Sequence, residues 1–275
     1  MHIKWMNDIE ELKAAVGSDT VRLMQSVRHF CRQTGDGKGY LLSFRYVSKA
    51  DGHEDCQVSV YAEKETVCFV SREEECRTVA ASAADEASGG KWLAGFLAAL
   101  TETDMDFLDQ FEETITAIED NLLTETGTAN RITCKIIAVR RELLNRKRYY
   151  GQLEMILSEL TSDTNGFFEE EARMWLTLVD KRLDRLMSSV LHLQEYVSQV
   201  REAYQSQIDI EQNNIMRIFT VITSICLPLS LIAGWYGMNL MMPEYTWPFG
   251  YPLVLTVSAV IVIVCYVIFK RKKWF

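Results

Sequence analysis

Two apolar stretches near the C-terminus constrain this chain more than any other feature. Ile215–Trp235 is 21 residues long with a single charge, Arg217, near its start, and Tyr251–Phe269 is 19 residues long with none. About 20 apolar residues cross a bilayer core as a helix. The spacing therefore predicts a two-helix membrane hairpin, with a first span over about 215–236 and a second over 251–269. Four basic residues, Lys270, Arg271, Lys272 and Lys273, follow the second run at once. Basic residues stay on the cytoplasmic side, so the C-terminus is expected there. Two spans then put residues 1–213 on the same side, and only 238–250 faces outward. Trp235, Tyr236, Trp247 and Tyr251 sit where amphipathic rings settle at a membrane surface. The expected location is a cell (inner or plasma) membrane, crossed twice.

Charge divides the chain the same way. The net charge is −9, and residues 214–275 carry +4, which leaves −13 on residues 1–213. So acidic a soluble part argues against a nucleic-acid partner. It suits cations, or solubility alone. The seven cysteines are odd in number, include no Cys-x-x-Cys, and fall partly inside the apolar runs. That is no disulfide framework and fits a reducing compartment. Gly37-Lys38 and Gly90-Lys91 look like pieces of a phosphate loop, but neither is followed by Ser or Thr. His53-x-x-Cys56 has no second ligand pair. No enzyme constellation and no organic cofactor is expected.

Residues 1–97 read as a small α/β unit. Asn7–Val16 and Thr20–Arg32 have helical spacing, Cys31 included. Tyr40–Val47, Gln57–Tyr61 and Val67–Val70 read as strands. Glu73, Glu74 and Glu75 read as a solvated edge. Residues 98–166 read as a helical hairpin. Its first arm is acidic, with Asp106, Asp109, Glu112 and Glu113, and its second, Asn130–Leu160, is basic, with Arg131, Lys135, Arg140 and Arg141. Complementary charge would hold the arms together.

Residues 167–236 read as one long stalk helix that becomes the first span. Leu176, Val179, Leu183, Leu186, Val190, Leu193, Val197, Val200 and Tyr204 follow a strict 3-4 alternation, the mark of a packed multi-helix seam. We expect that seam to hold an oligomer together. No Pro or Gly interrupts Phe167–Cys226, so the helix should pass unbroken into the membrane over roughly 100 Å, at about 1.5 Å per residue. The overall class is an α+β cytosolic domain with a long helical stalk and a two-helix transmembrane hairpin.

Two helices enclose no pore, so conduction would demand several copies. With the same 3-4 spacing as the seam, Asn213, Met216, Thr220, Thr223, Leu227, Ser230 and Gly234 fall on or near one stripe of the first span. The stripe mixes small polar groups with apolar ones and suits a pore lining. Close helix packing is the other reading of Thr220, Thr223 and Ser230. The second span is uniformly apolar and suits lipid. Pro228 would leave the Ser224 carbonyl without its helical donor, and a neighbouring hydroxyl could satisfy it.

The turn of the hairpin holds Gly237-Met238-Asn239, within Gly234-Trp235-Tyr236-Gly237-Met238-Asn239-Leu240 and followed by Met242-Pro243-Glu244. With Asn213-Asn214-Ile215-Met216, Leu227-Pro228-Leu229 and the basic end at 270–275, this resembles the CorA family of divalent-cation transporters. The resemblance is specific from Asn213 to the C-terminus and weak upstream. It implies a CorA-like homopentamer built around the first span. It implies a selectivity filter at Gly237, Met238 and Asn239. It implies pore constrictions at Met216, Phe219 and Leu227, of which Phe219 departs from the family in being aromatic. It also implies a basic collar at Lys270–Lys273, for which topology alone is a sufficient explanation.

Mg2+ gives up its water reluctantly and wants octahedral oxygens. A ring of Asn239 amide oxygens can hold it with its shell largely intact, without the deep trap of five carboxylates. Glu244 in the external loop would concentrate cations, or is simply a solvated acid. The expected function is passage of Mg2+, with Co2+ and Ni2+ as further candidates, down its gradient into the cytosol. The resemblance adds gating by intracellular Mg2+ held between acids of neighbouring copies, with Asp180 and Asp184 as stalk candidates. Two rivals are a Zn2+ transporter or exporter of the same family, whose members often carry Ile where this chain has Met238, and a membrane-anchored acidic scaffold that moves no ion.

Overall fold

The computed structural model describes residues 2–6, 11–12, 30–34, 38–48, 56–83, 88–124, 129–163, 165–238 and 247–272. Among them, five strands form one sheet: β1 (His2–Met6), β2 (Phe30–Gln33), β3 (Gly39–Tyr46), β4 (Cys56–Glu63) and β5 (Thr66–Val70). Six helices accompany it among the described residues: α1 (Glu74–Ser82), α2 (Gly89–Leu100), α3 (Asp104–Thr124), α4 (Ala129–Thr161), α5 (Glu170–Tyr236) and α6 (Gly250–Arg271). The chain divides into two compact units, Met1–Arg201 and Glu202–Phe275. Helix α5 contributes to both.

The sheet order is β1-β5-β4-β3-β2, with β1 parallel to β5 and the other pairs antiparallel. Register puts Leu42, Val60 and Phe69 side by side on one face and Leu41, Tyr61 and Cys68 on the other. Both sets are buried. That is why the strands read as near-continuous apolar runs rather than clean alternation. On the first face Phe69 meets Phe96 edge-on at 5.5 Å, and Trp92 stacks on Phe96 at 5.2 Å. Phe44 lies against Phe96 of α2 and Tyr149 of α4. On the second face Met6, Leu12 and Val70 close a cluster with Leu41, Tyr61 and Cys68.

The strands expected over 40–70 are present, but the stretch expected to be helical over Thr20–Arg32 ends otherwise. Phe30–Gln33 is β2, paired with β3 so that Cys31 faces Leu42 across the ladder. Apolar residues at helical spacing are outweighed at that end by an open sheet edge. Residues 13–29 lie outside the described ones, and so do most of Asn7–Val16, of which Glu11 and Leu12 are helical. The Glu73–Glu75 stretch is not merely a solvated edge. Glu74 and Glu75 form the first turn of α1, where carboxylates suit the helix dipole, and Glu75 accepts a hydrogen bond from Ser48 at 2.8 Å.

The heptad seam is buried as its spacing requires, but by this chain itself. Its residues from Leu176 to Val200 are each between 0% and 5% exposed in a single copy. Their cover is α2, α3 and α4. Arg182 donates to the Ala98 carbonyl at 2.9 Å, Tyr196 to Glu119 at 2.6 Å, and Trp175 lies against Gly95. The matching apolar sets are Leu108, Ile115 and Ile118 on α3 and Ile132, Ile136, Val139 and Leu143 on α4, all buried. A seam with nothing left to bury is not what holds copies together, which corrects the expectation of an oligomer seam. The heptad pattern states that a stripe is buried and is silent on whose side chains bury it.

The charge argument for the hairpin takes a different form too. Arg146 of the basic arm is buried, donates to the carbonyls of Val47 and Ser48, and sits 4.3 Å over the Phe107 ring of α3. Its carboxylate partner, Glu142, is on its own helix at 3.1 Å.

Candidate cation path

Helices α5 and α6 are both long and apolar enough to cross a membrane. Within the unit Glu202–Phe275 they meet along two stripes. On α6 the less exposed residues are Val254, Ser258, Ile261, Cys265 and Phe269, spaced by three and four. On α5 they are Arg217, Val221, Ser224, Ile225, Pro228, Leu229, Ile232 and Tyr236. Each stripe is one helical face.

The predicted stripe lies on the other side of α5. Asn213, Met216, Thr220, Thr223, Leu227, Ser230 and Gly234 are all exposed in the single chain. At ~100° per residue their mean direction is more than a third of a turn from that of the α6 contact. Leu227 is 69% and Met216 63% exposed. Phe219 is 60% exposed and falls at the edge of the stripe, nearer the flank of Ile215 and Cys226 than the line of Met216 and Leu227.

The two threonine hydroxyls on this face are already committed as donors. Thr220 donates to the Met216 carbonyl and Thr223 to the Phe219 carbonyl, each at 2.7 Å. A hydroxyl has one donor and two lone pairs. With the proton spent on the backbone, each oxygen turns only acceptor capacity away from its helix. Such a surface takes hydrogen bonds from the water shell of a cation.

Pro228 lies inside α5. The Ser224 carbonyl does find a donor, although not a hydroxyl: the Cys265 thiol of α6 reaches it at 3.8 Å. The proline four residues on is the sequence signal that a donor must come from elsewhere; a thiol is a less obvious source than a hydroxyl.

At the end of α5 the Gly237 amide donates to the Ala233 carbonyl at 2.9 Å and Met238 follows in a bend. A Cβ on Gly237 would stand 2.9 Å from that carbonyl oxygen, closer than side chains normally come, whereas around Gly234 the space is open. Asn239 and Glu244 lie outside the described residues, as does Lys273. Lys270 and Arg271 end α6 and Lys272 follows; the Lys270 ammonium lies 5.7 Å from the Tyr266 ring.

In the other unit Asp180 is half-buried and Asp184 exposed on α5. The described residues bring together no group of three or more side chains able to hold a metal. Lys91, half of a false phosphate loop, instead pairs with Glu171 at 2.7 Å and Glu169 at 3.4 Å; the Glu171 hydrogen bond raises its pKa.

A family model described as CorA-like Mg2+ transporter protein matches residues 4–271. The chain is 31% identical over 185 residues to the cobalt/magnesium transport protein CorA of Thermotoga maritima, covering 66% of this chain and 52% of that protein. The chain thus spans about half the length of that curated relative. Its fold is similar to that of the complete CorA magnesium transporter from Methanocaldococcus jannaschii, with a TM-score of 0.78 and 20% identity over 99% of this chain and 90% of that one. The ZntB cytoplasmic domain from Vibrio parahaemolyticus matches with a TM-score of 0.62 and 14% identity over 75% of this chain and 87% of that domain.

Proposed function

This chain belongs to the CorA-like Mg2+ transporter family, and from that premise we propose that it is a homopentameric channel passing Mg2+, and with it Co2+ and Ni2+, into the cytosol. The observation that carries this reading is the α5 stripe. Thr220, Thr223, Ser230 and Gly234 alternate with Met216 and Leu227 on a face that α6 leaves uncovered. Copies arranged around that face would line a path with hydroxyl acceptors between apolar rings. Acceptor rings suit the water shell of Mg2+, which the ion sheds reluctantly. Rings of Met216 and Leu227 are narrow places where water can be expelled to close the path.

In this reading Asn239, with Gly237 and Met238, forms the outer filter, Glu244 draws cations to it, and Lys270–Lys273 form a cytoplasmic collar. Both termini lie in the cytoplasm. An inside-negative potential supplies about 4.6 kcal/mol per 100 mV for a divalent ion, at ~2.3 per charge. Closure follows rising internal Mg2+ bound between copies, with Asp180 and Asp184 among the ligands.

The experiment is ion uptake by proteoliposomes offered Mg2+, Co2+, Ni2+ and Zn2+, at low and high internal Mg2+. We expect Mg2+ entry that slows as internal Mg2+ rises and is abolished in an assembled Asn239→Ala protein. Flux confined to Zn2+ would point to the zinc-transporting rival, and no flux at all to the scaffold. Undiminished Mg2+ entry in Asn239→Ala would remove the filter assignment. Closure unchanged in Asp180→Lys with Asp184→Lys would remove those two as ligands.

A further inference from the structure

The ring nitrogen of Pro228 carries no hydrogen, so the carbonyl of Ser224, four residues earlier, has no donor in its own helix. In hydrocarbon an unpaired carbonyl is costly. The thiol of Cys265 fills that need across the helix pair at 3.8 Å. The two aliphatic hydroxyls of α6 bond within their own helix instead. Thr256 donates to the Pro252 carbonyl at 2.8 Å and Ser258 to the Val254 carbonyl at 2.9 Å, each within α6 itself. Cys265 is therefore an α6 side chain whose donor is spent on the neighbouring helix.

Its position matters because of what flanks the acceptor. Ser224 follows Thr223, and Pro228 follows Leu227, so the carbonyl lies between two residues of the exposed stripe. Missing backbone bonds at proline are where helices bend. A donor anchored in α6 at this place restrains the segment from Pro228 to Tyr236 relative to the turn before it. A thiol suits the task because it is a weak donor on an otherwise apolar side chain. When the bond opens, the group left on α6 is only weakly polar, and the cost falls on the Ser224 carbonyl.

We infer that Cys265 is a positioning residue for conduction: through the Ser224 carbonyl it brackets the proline point of α5 and fixes where Leu227 stands in the path. This rests on the reading of α5 as the path lining. The test uses the full-length protein in liposomes as wild type, Cys265→Ala, Pro228→Ala and the double variant, with Cys265→Val as a variant that fills the site without a donor. The first readout is the S–H infrared stretch, taken as wild type minus Cys265→Ala. A band shifted to the hydrogen-bonded position is expected, and a band at the free-thiol position overturns the inference. The second readout is the initial rate of Mg2+ uptake. Cys265→Ala and Cys265→Val should each lower it about threefold, the worth of an average interhelical hydrogen bond in a membrane. In Pro228→Ala the restored backbone N–H serves the carbonyl, so adding Cys265→Ala should change nothing further. An equal loss in both backgrounds means that Cys265 only packs, and overturns the inference. A hydrogen-bonded band together with no uptake by wild type contradicts the conduction reading itself and takes this role with it.

Discussion

Asp163 shows how much of the junction between α4 and α5 rests on one side chain. Its carboxylate accepts from the amides of Asn165, Phe167 and Phe168 and from the Tyr40 hydroxyl of β3. Gly166 supplies the left-handed residue the turn requires, at φ 71°. Burial alone would raise the carboxyl pKa, but the amides of Asn165 and Phe168, the Tyr40 hydroxyl and the Phe167 amide outweigh it, and the pKa is lowered. A group with a lowered folded pKa stabilises above its unfolded pKa, and that stability is lost as pH falls through the folded value. Asp163→Asn should therefore destabilise the full-length protein by roughly 1–3 kcal/mol at neutral pH, the usual cost of unmet buried groups. The gap to wild type should start to narrow as pH falls below about 4, the ordinary carboxylate value, and close only below the lowered folded value. Thermal unfolding measured across pH checks both; a gap independent of pH would mean that the charge of Asp163 plays no part. From sequence, 162–166 is legible as a break. The four bonds are not, because Tyr40 and Asp163 are 123 positions apart.

Among the elements, periodicity locates the long helices to within a few residues. The helix expected over Asn130–Leu160 is Ala129–Thr161, and the stalk expected from Phe167 is Glu170–Tyr236. Strong spacing over many turns leaves little room for another structure. Short segments fare worse. β1 and β2 are five and four residues long, and each is specified by its neighbour in the sheet rather than by its own pattern. The seam is the instructive case, since its burial is legible and its partner is not. Because Leu186 and Leu193 pack within one chain, replacing both by Asp should unfold the unit 1–201 rather than release folded monomers. Several kcal/mol of unpaired buried charge is enough for that. Loss of near-ultraviolet dichroism in the variant is expected. Well-folded chains of reduced oligomer mass would instead mean that the seam lies between copies.

At the scale of the whole molecule, the hairpin and its expected orientation follow from where charge is and is not. The face of α5 proposed to serve conduction has the 3-4 spacing of the seam but not its phase. Counting on from Tyr204 in the same alternation reaches Val221, Ile225, Pro228 and Ile232, on the face that meets α6, and the stripe from Asn213 to Gly234 falls to the other side. The position of Cys265 cannot be reached so, since which residue of α6 stands beside Ser224 depends on how the two helices meet. The central claim is that the uncovered stripe of α5 lines the cation path. Leu227 and Ile222 test it most directly, since both are exposed in the single chain, at 69% and 53%, but point well apart around the helix. In a Cys226→Ala background, Leu227→Cys and Ile222→Cys proteins are treated in liposomes with a small cationic thiol reagent, and Mg2+ uptake is followed. Uptake should be blocked through Leu227→Cys and untouched through Ile222→Cys. Block at Ile222→Cys with Leu227→Cys spared would place the path on another face of α5 and contradict the account.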